Sequence, residues 1–321
     1  MTSQPFFIDR TIKSRNTTNT MMDLELDRPR KILVVAGVHG NEHNAVLAAY
    51  RFMGAIENDE NFLDSCTEIR FILGANRYGL MNNTREWGEP DCAKNGAGDP
   101  VDLNRVFKED DCPKNSSLQE IMHTLSTAVK ASDIVIDIHN SPAMTPCVLL
   151  NNDTHTKEFV KFCSDTGTRY VIQESTTNTL KRYALYKGKI AFTVELGGMT
   201  VSPWHDEIVA DQYMFLRTFI PELYMASDMD IDELHSEANP LKPSDIMCAL
   251  PARCYGMVEY EEDALSREFK AGEPIAHIIT GDGLLGEDVI APCDGWVACC
   301  TPTLFVRPGD EYVYWQPKVQ E

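Results

Sequence analysis

The chain has 321 residues, of which 43% are hydrophobic, and it carries a formal net charge of −20 at pH 7. This length is enough for one large domain and a smaller one, each with a buried core. The negative charge argues against nucleic acid and against an anionic membrane surface as partners, because both would repel the chain. If the substrate is itself an anion, a local group of arginines must bind it, because the net negative charge of the chain repels it.

Cysteine usage and apolar runs indicate the compartment. The ten cysteines include no Cys-x-x-Cys pair, which argues against a structural zinc ribbon or a redox motif and favours reduced thiols. No run approaches the roughly 18 apolar residues of a membrane span, and the first residues lack the basic flank and apolar core of a signal peptide. We therefore expect a cytoplasmic protein with no membrane partner, and the sequence leaves homo-oligomer formation open.

Apolar strands and amphipathic helices alternate through the first two thirds of the chain. Segments rich in apolar residues, typical of strands buried in the core, begin at Lys31, Asp133 and Ile190. Helical spacing is seen over residues 116–130, whereas the Gly, Pro, Asn and Asp content of residues 77–113 predicts a long loop. This alternation predicts an α/β fold with a largely parallel or mixed sheet and helices on both of its faces.

Changes in composition predict the domain limits. Residues 1–30 read as an irregular or edge segment, and residues 31–228 as the α/β domain. The acidic stretch 229–245 is predicted to be a linker. Residues 246–321 have short strands separated by Gly, Pro and Asp turns, which predicts a smaller all-β domain.

Three of the predicted core strands lead into side chains that suit a metal site. His39 and His139 each follow such a strand, and Glu195 ends a third. Strand ends at one edge of an open α/β sheet lie close together. Two histidines and the carboxylate of Glu42 would leave the fourth position of a zinc ion open to water, as in catalytic zinc sites. Glu195 would then act as general base on that water, and we predict one zinc ion per chain.

The same segment also fits a different zinc motif. His39-Gly40-Asn41-Glu42-His43 matches His-x-x-Glu-His, in which both histidines bind the metal from one helix and the glutamate is the base. That motif requires His39 to lie within a helix, whereas here an apolar strand precedes it and Gly40 follows it. We therefore favour Glu42 over His43 as the second ligand.

Arginine and asparagine side chains occur at both ends of the long polar stretch 77–113. Arg77 and Arg85 come early in it, and Asn104 and Arg105 follow later. Arginine binds a carboxylate through two parallel charge-assisted hydrogen bonds, so these residues are candidates for holding an anionic substrate. Solvated surface arginines are the alternative interpretation.

Four spaced motifs together resemble those of one family. His39-x-x-Glu42, Asp102-Leu-Asn104-Arg105, Asp137-Ile-His139-Asn140 and Val194-Glu195-Leu-Gly197 are similar, in this order, to motifs of the aspartoacylase/succinylglutamate desuccinylase family. These are zinc carboxypeptidase-like amidohydrolases, and the resemblance covers roughly residues 31–200. It implies a zinc-carboxypeptidase-like mixed sheet, and the C-terminal domain resembles a barrel-sandwich fold.

The resemblance also implies roles for individual residues. His39, Glu42 and His139 would bind zinc, and Glu195 would be general base and then proton donor to the leaving amine. Asn104 and Arg105 would hold the α-carboxylate of the substrate. Arg85 would help to stabilise the oxyanion, with Arg77 as the alternative for that role. No basic residue falls on the position that reads the side-chain carboxylate in aspartoacylases, so the acyl group and the amino acid stay open.

We therefore predict a zinc-dependent hydrolase of linear amides that removes an acyl group from a small N-acyl amino acid. A metallocarboxypeptidase acting on peptide C-termini would use the same metal site and the same Asn-Arg pair. The third hypothesis is a non-catalytic family member that binds zinc or a ligand. Glu195 argues against it, because binding alone needs no general base.

Overall fold

The computed structural model describes residues 6–13, 31–59, 68–88, 100–107, 116–141, 146–151, 156–173, 176–198, 206–225, 245–261, 263–281, 285–300 and 305–319. The chain divides into two compact units. The first contains Met1–Asn140, Thr176–Val194 and Val201–Glu233, and the second contains Ser141–Ser175, Glu195–Thr200 and Leu234–Glu321. Apart from Asp245, the predicted linker lies outside the described residues. The predicted domain limits stay a prediction.

The first unit is built on a mixed sheet. Its strands are β1 (Ile8–Lys13), β2 (Lys31–Ala36), β3 (Glu68–Leu73), β4 (Ile134–His139) and β7 (Ile190–Glu195), which lie in the order β1-β3-β2-β4-β7. β2 pairs in parallel with β3 and with β4, and β1 pairs antiparallel with β3. Every residue of β4 is buried, as is every residue of β2 after Lys31. Largely apolar runs form such strands because both of their faces are covered.

Helices and one short 3-10 turn complete the described part of the first unit. They are α1 (His43–Asn58), α2 (Arg77–Asn82), the turn Leu103–Arg105, α3 (Ser116–Ala131), α5 (Leu180–Tyr186) and α6 (Asp206–Met225). α1 packs against α6. α3 places Leu118 and Leu125 in a core that also contains Leu33 and Val35 of β2.

α2 corrects the prediction that residues 77–113 form a loop throughout. The side chain of Asn76 accepts a hydrogen bond from the Gly79 amide and caps this helix. Six residues are too few to show helical periodicity, so the local cap and the tertiary packing decide the structure there.

The second unit combines a parallel strand pair with the C-terminal strands. β5 (Cys147–Asn151) pairs in parallel with β6 (Tyr170–Gln173), and α4 (Thr156–Thr166) connects them along the chain. The C-terminal strands are β8 (Cys248–Pro251), β9 (Gly256–Tyr260), β10 (Pro274–Ile279), β11 (Leu285–Ile290), β12 (Gly295–Cys300), β13 (Phe305–Val306) and β14 (Glu311–Pro317).

These C-terminal strands form two small sheets, β11-β10-β9-β13 and β12-β14-β8. Their core contains the fully buried side chains of Trp315 and Phe269. The predicted class, an α/β fold with C-terminal all-β strands, is confirmed. In the described part of the chain, no helix is long and apolar enough to cross a membrane.

Candidate metal centre

The candidate ligands of the first unit come from the ends of two neighbouring parallel strands. His39 follows β2 in a turn, and α1 begins only at His43, with Glu42 as its N-cap residue. His39 therefore lies outside the helix, as Gly40 predicted. His139 is the last residue of β4. Because β2 and β4 run in the same direction, their carboxyl ends lie at the same edge of the sheet.

The structure brings His39, Glu42 and His139 together as a buried group. Glu42 Oε1 lies 2.7 Å from His39 Nδ1, and Glu42 Oε2 lies 2.9 Å from His139 Nδ1. The two Nδ1 atoms are 3.1 Å apart. All three side chains are less than 6% exposed. One nitrogen of each imidazole and both carboxylate oxygens thus face a common point.

A carboxylate stands behind each histidine. Asp102 Oδ1 lies 3.2 Å from His39 Nε2, and Asp137 Oδ2 lies 2.9 Å from His139 Nε2. Asp137 is completely buried, and it lies two residues before His139, on the same face of β4. A carboxylate on the outer nitrogen of a histidine fixes the ring orientation and makes the inner nitrogen a better metal ligand.

The charges in this group shift the pKa values of its members. Burial alone would raise the pKa of Glu42, but His139 and His39 outweigh burial and lower that pKa to about 2. His39 and Arg85 likewise overcome burial and hold the pKa of Asp102 well below its usual range. Burial alone would lower the pKa of His139, but Asp137 and Glu42 raise it well above its usual value. Glu42 and Asp102 therefore stay ionised at neutral pH, and the field at this point favours a cation.

The donor set fits a zinc ion. Tetrahedral zinc takes His nitrogens and carboxylate oxygens at about 2.0–2.2 Å, which places neighbouring ligand atoms roughly 3.3 Å apart. One ligand atom from each of His39, Glu42 and His139 lies within 4.8 Å of the others, and no second group of this kind occurs among the described residues. Three protein ligands leave a fourth position for water or substrate, as catalytic zinc sites require.

His43 does not belong to this group. It is the first residue of α1, and its Nε2 atom is buried with no hydrogen-bond partner among the described residues. Burial lowers the pKa of its imidazole. The geometry therefore favours Glu42 over His43, which is the choice made from the sequence.

Arg85 is linked to this group, whereas Arg77 is engaged elsewhere. Nε and Nη2 of Arg85 both donate to Asp102 Oδ2 at 3.2 Å, so one carboxylate contacts Arg85 and His39 together. The guanidinium of Arg77 stacks over Tyr78 and Trp87, with centroid distances of 5.3 and 6.0 Å. Of the two arginines, Arg85 is thus the one held beside a candidate ligand.

Asn104 and Arg105 lie in the 3-10 turn that follows Asp102. Asn104 Oδ1 accepts a hydrogen bond from the Leu180 amide at 2.8 Å, and its Nδ2 lies 3.3 Å from His139 Nε2. The side chain of Asn104 therefore contacts both α5 and a candidate ligand. Arg105 is exposed and donates from Nη1 to the Asn104 carbonyl, and it forms no ion pair with any described residue.

Glu195, the predicted general base, ends β7 and belongs to the second unit. It is 9% exposed, and Ser141 Oγ of the same unit donates to its Oε2 atom at 2.7 Å. The sequence analysis did not single out Ser141, and its position directly after Asn140 carries no signal for this bond. The role of Glu195 stays a prediction.

Comparison with a family model adds an independent finding. The model of the succinylglutamate desuccinylase/aspartoacylase catalytic domain matches residues 29–220, which is more than half of the chain. That range contains every candidate site residue named above. No curated protein matches the chain in sequence.

Several solved structures share the fold. The product-bound ectoine utilization protein EutE (DoeB) from Ruegeria pomeroyi is 15% identical, with a TM-score of 0.59 over 90% of this chain and 86% of that one. A succinylglutamate desuccinylase/aspartoacylase from Rhodobacter sphaeroides is 18% identical, with a TM-score of 0.58 over 91% and 87%. An aspartoacylase family protein from Mesorhizobium loti is 18% identical, with a TM-score of 0.55 over 91% and 87%. At these identities the likeness concerns the fold.

Proposed function

Because the chain belongs to the succinylglutamate desuccinylase/aspartoacylase family of hydrolases, we propose that it is a zinc-dependent amidohydrolase that removes the acyl group from an N-acyl amino acid. The observation that carries this proposal is the buried group His39, Glu42 and His139, with a carboxylate behind each histidine. Such an arrangement is costly to bury unless a cation compensates its negative charge.

We propose that His39, Glu42 and His139 hold one zinc ion. When bound there, zinc would supply Lewis acidity that activates water and polarises the amide carbonyl. Asp102 and Asp137 would keep the two imidazole rings oriented with Nδ1 toward the metal. The ionised carboxylate of Glu42 would complete the protein donor set.

The carboxylate of the amino acid would bind at Arg105. Its guanidinium is exposed, has no ion pair among the described residues, and follows Asn104, whose Nδ2 contacts a candidate ligand. A guanidinium in this setting can take a carboxylate through two parallel hydrogen bonds. Asn104 would contribute to the same substrate contact, and Arg85, fixed by Asp102, would stabilise the negative charge that develops on the carbonyl oxygen.

Glu195 would move the proton that the reaction requires. Its carboxylate would accept a proton from the attacking water as the new carbon–oxygen bond forms. It would then pass that proton to the amide nitrogen as the carbon–nitrogen bond breaks, which releases a carboxylate and a free amino acid. Support comes from its place at the end of β7, its burial, and the Ser141 hydrogen bond, which holds one carboxylate oxygen in place.

The test combines metal content with a substrate panel. The purified protein, loaded with zinc, is assayed against N-acetyl, N-succinyl and N-formyl amino acids and against unmodified dipeptides. Glu195→Gln is expected to keep one zinc per chain and to lose at least about a hundredfold in kcat, as expected when a general base is removed. Glu222→Gln, at an exposed position of α6, is the matched control and should change neither quantity.

Each alternative outcome has a definite meaning. Cleavage of dipeptides with no cleavage of N-acyl amino acids would favour the metallocarboxypeptidase hypothesis. Zinc binding without hydrolysis of any panel member would favour the non-catalytic hypothesis. Full activity of Glu195→Gln would contradict the general-base role, and wild-type protein without stoichiometric zinc would contradict the metal site.

A further inference from the structure

The N-cap residue of α1 does not cap the helix with its own side chain. The first amides of any helix have no intrahelical acceptor, and the N-cap side chain usually accepts from one of them. Here the N-cap residue is Glu42, and its side chain makes no capping hydrogen bond. Both of its carboxylate oxygens instead face His39 and His139. A ligand position and a cap position thus fall on the same residue.

A residue from another element supplies the missing acceptor. Asn140 Oδ1 accepts a hydrogen bond from the Ala45 amide, in the first turn of α1, at 2.5 Å. Asn140 is 2% exposed and lies 95 residues along the chain from Ala45. Asn140 also directly follows His139, the last residue of β4. One side chain therefore joins the helix that carries Glu42 to the strand that carries His139.

We propose that Asn140 is a positioning residue that sets the separation between the Glu42 carboxylate and the His139 imidazole. This inference rests on the proposed zinc site. The Asn140–Ala45 bond lies one residue from His139 and three from Glu42, so a shift of α1 along or away from β4 must break it. With the bond intact, the donor atoms of the two ligands stay 2.9 Å apart before any cation binds. Preorganised donors bind a metal more tightly, because less ordering remains to be done on binding.

The alternative is that Asn140 only caps a helix. A cap of that kind contributes to stability, but its loss would not change the metal affinity of the molecules that remain folded. The two interpretations therefore differ in zinc affinity measured on folded protein, and this quantity is independent of turnover.

The experiment measures zinc affinity by competition with a chromophoric chelator, with thermal unfolding of each metal-free variant recorded in parallel. Asn140→Ala is expected to weaken zinc binding about 10- to 100-fold, the range typical of residues that orient ligands. Asn140→Asp keeps an acceptor oxygen and is expected to restore most of that affinity. Asn58→Ala removes a side-chain hydrogen bond to the Gly54 carbonyl at the other end of α1 and should leave zinc affinity unchanged.

The possible results separate the two proposals. Unchanged affinity in Asn140→Ala, with wild-type zinc binding intact, would overturn the positioning role alone. Equal weakness of Asn140→Asp and Asn140→Ala would also overturn it. Wild-type protein that binds no zinc would overturn the proposed function itself and this inference with it.

A measurement on the wild-type protein covers the case in which Asn140→Ala fails to fold. The Ala45 amide has no acceptor within its helix, so slow hydrogen exchange there requires the Asn140 bond. We expect slow exchange, and rapid exchange at Ala45 in the folded metal-free protein would overturn the inference.

Discussion

Replacing Gly40 with alanine should damage the fold next to the candidate metal centre. A Cβ atom at position 40 would lie 2.0 Å from the carbonyl carbon of Gly79 and 2.3 Å from the Leu80 nitrogen, both backbone atoms of α2. Ordinary contacts begin near 3.4 Å, so the His39 turn and α2 would have to separate by roughly 1.4 Å. Two glycines face each other here because no side chain fits between the two backbones.

The cost of this substitution follows from the contacts that the separation would disturb. Overpacking of a tight interior typically costs about 1–3 kcal/mol. Two backbone hydrogen bonds across this contact, from Gly40 to the Arg85 carbonyl and from Asn76 to the Gly37 carbonyl, would weaken, at about 1 kcal/mol each. We therefore expect Gly40→Ala to lower the free energy of unfolding by about 3–5 kcal/mol, a large share of the typical 5–15 kcal/mol.

Urea unfolding of the metal-free protein measures this loss, and Gly54→Ala provides a matched control. Gly54 lies inside α1, where an added Cβ would meet nothing within 4 Å. The same substitution there should stabilise the protein by about 0.5–1 kcal/mol, because alanine is the better helix former. If Gly40→Ala lowers the free energy of unfolding by less than about 1 kcal/mol, or if both variants change it equally, the turn at His39 does not approach α2 as closely as described.

Two further predictions concern individual charges. Asp102→Asn should weaken zinc binding about 10- to 100-fold in a chelator competition, because it removes the negative charge beside the outer nitrogen of His39. Asp9→Asn, on the edge strand β1, is the control and should leave zinc affinity unchanged. Unchanged zinc affinity in Asp102→Asn would contradict the role of Asp102 in orienting His39. In the second unit, hydrogen bonds to Asp288 and Glu261 raise the pKa of His277 above 6.5, and Glu259 lies opposite it on β9. The imidazolium then stabilises the sheet below pH 6.5, and this contribution is lost as pH rises through the raised pKa. Asp288→Asn should therefore lower the melting temperature below pH 6.5 and change it little about two pH units higher. An equal drop in melting temperature at both pH values would contradict the role of the imidazolium.

Much of the first unit could be predicted because its central strands β2 and β4 are buried on both faces. An uninterrupted apolar run such as Ile32–Ala36 allows few alternatives, and β2 forms there. Residue types that bind metals are also few, so histidines at two such strand ends attract attention in a sequence. The pairing of His39 with Glu42 followed from local chemistry, because Gly40 made a helix at His39 unfavourable. The structure places α1 after both residues.

Short elements could not be predicted in the same way. α2 depends on the Asn76 cap and on contact with the His39 turn at Gly40. Neither feature produces a periodic pattern of apolar residues in the sequence. The limits of the individual C-terminal strands were not predicted, and β8, for example, pairs with β14 along its whole length. Cross-strand partners stabilise such strands, and the partners are known only once the register is known.

Asp102 and Asn140 stand within the quoted motifs, but their contacts with His39 and Ala45 were not predicted, for a more general reason. Only a few residue types can serve as zinc ligands. By contrast, the outer N–H of a ligand histidine can donate to almost any carboxylate or carbonyl oxygen nearby. Asp102 supports His39 across 63 residues of sequence, and the Asn140 bond to Ala45 spans 95. Asparagine and aspartate are also common in turns, so their presence beside a motif indicates little. The ligands can therefore be recognised by chemical type, but the residues that orient them are fixed by tertiary packing. It follows that substitutions at Asp102 and Asn140, rather than at the ligands themselves, test whether the packing around this site is correctly described.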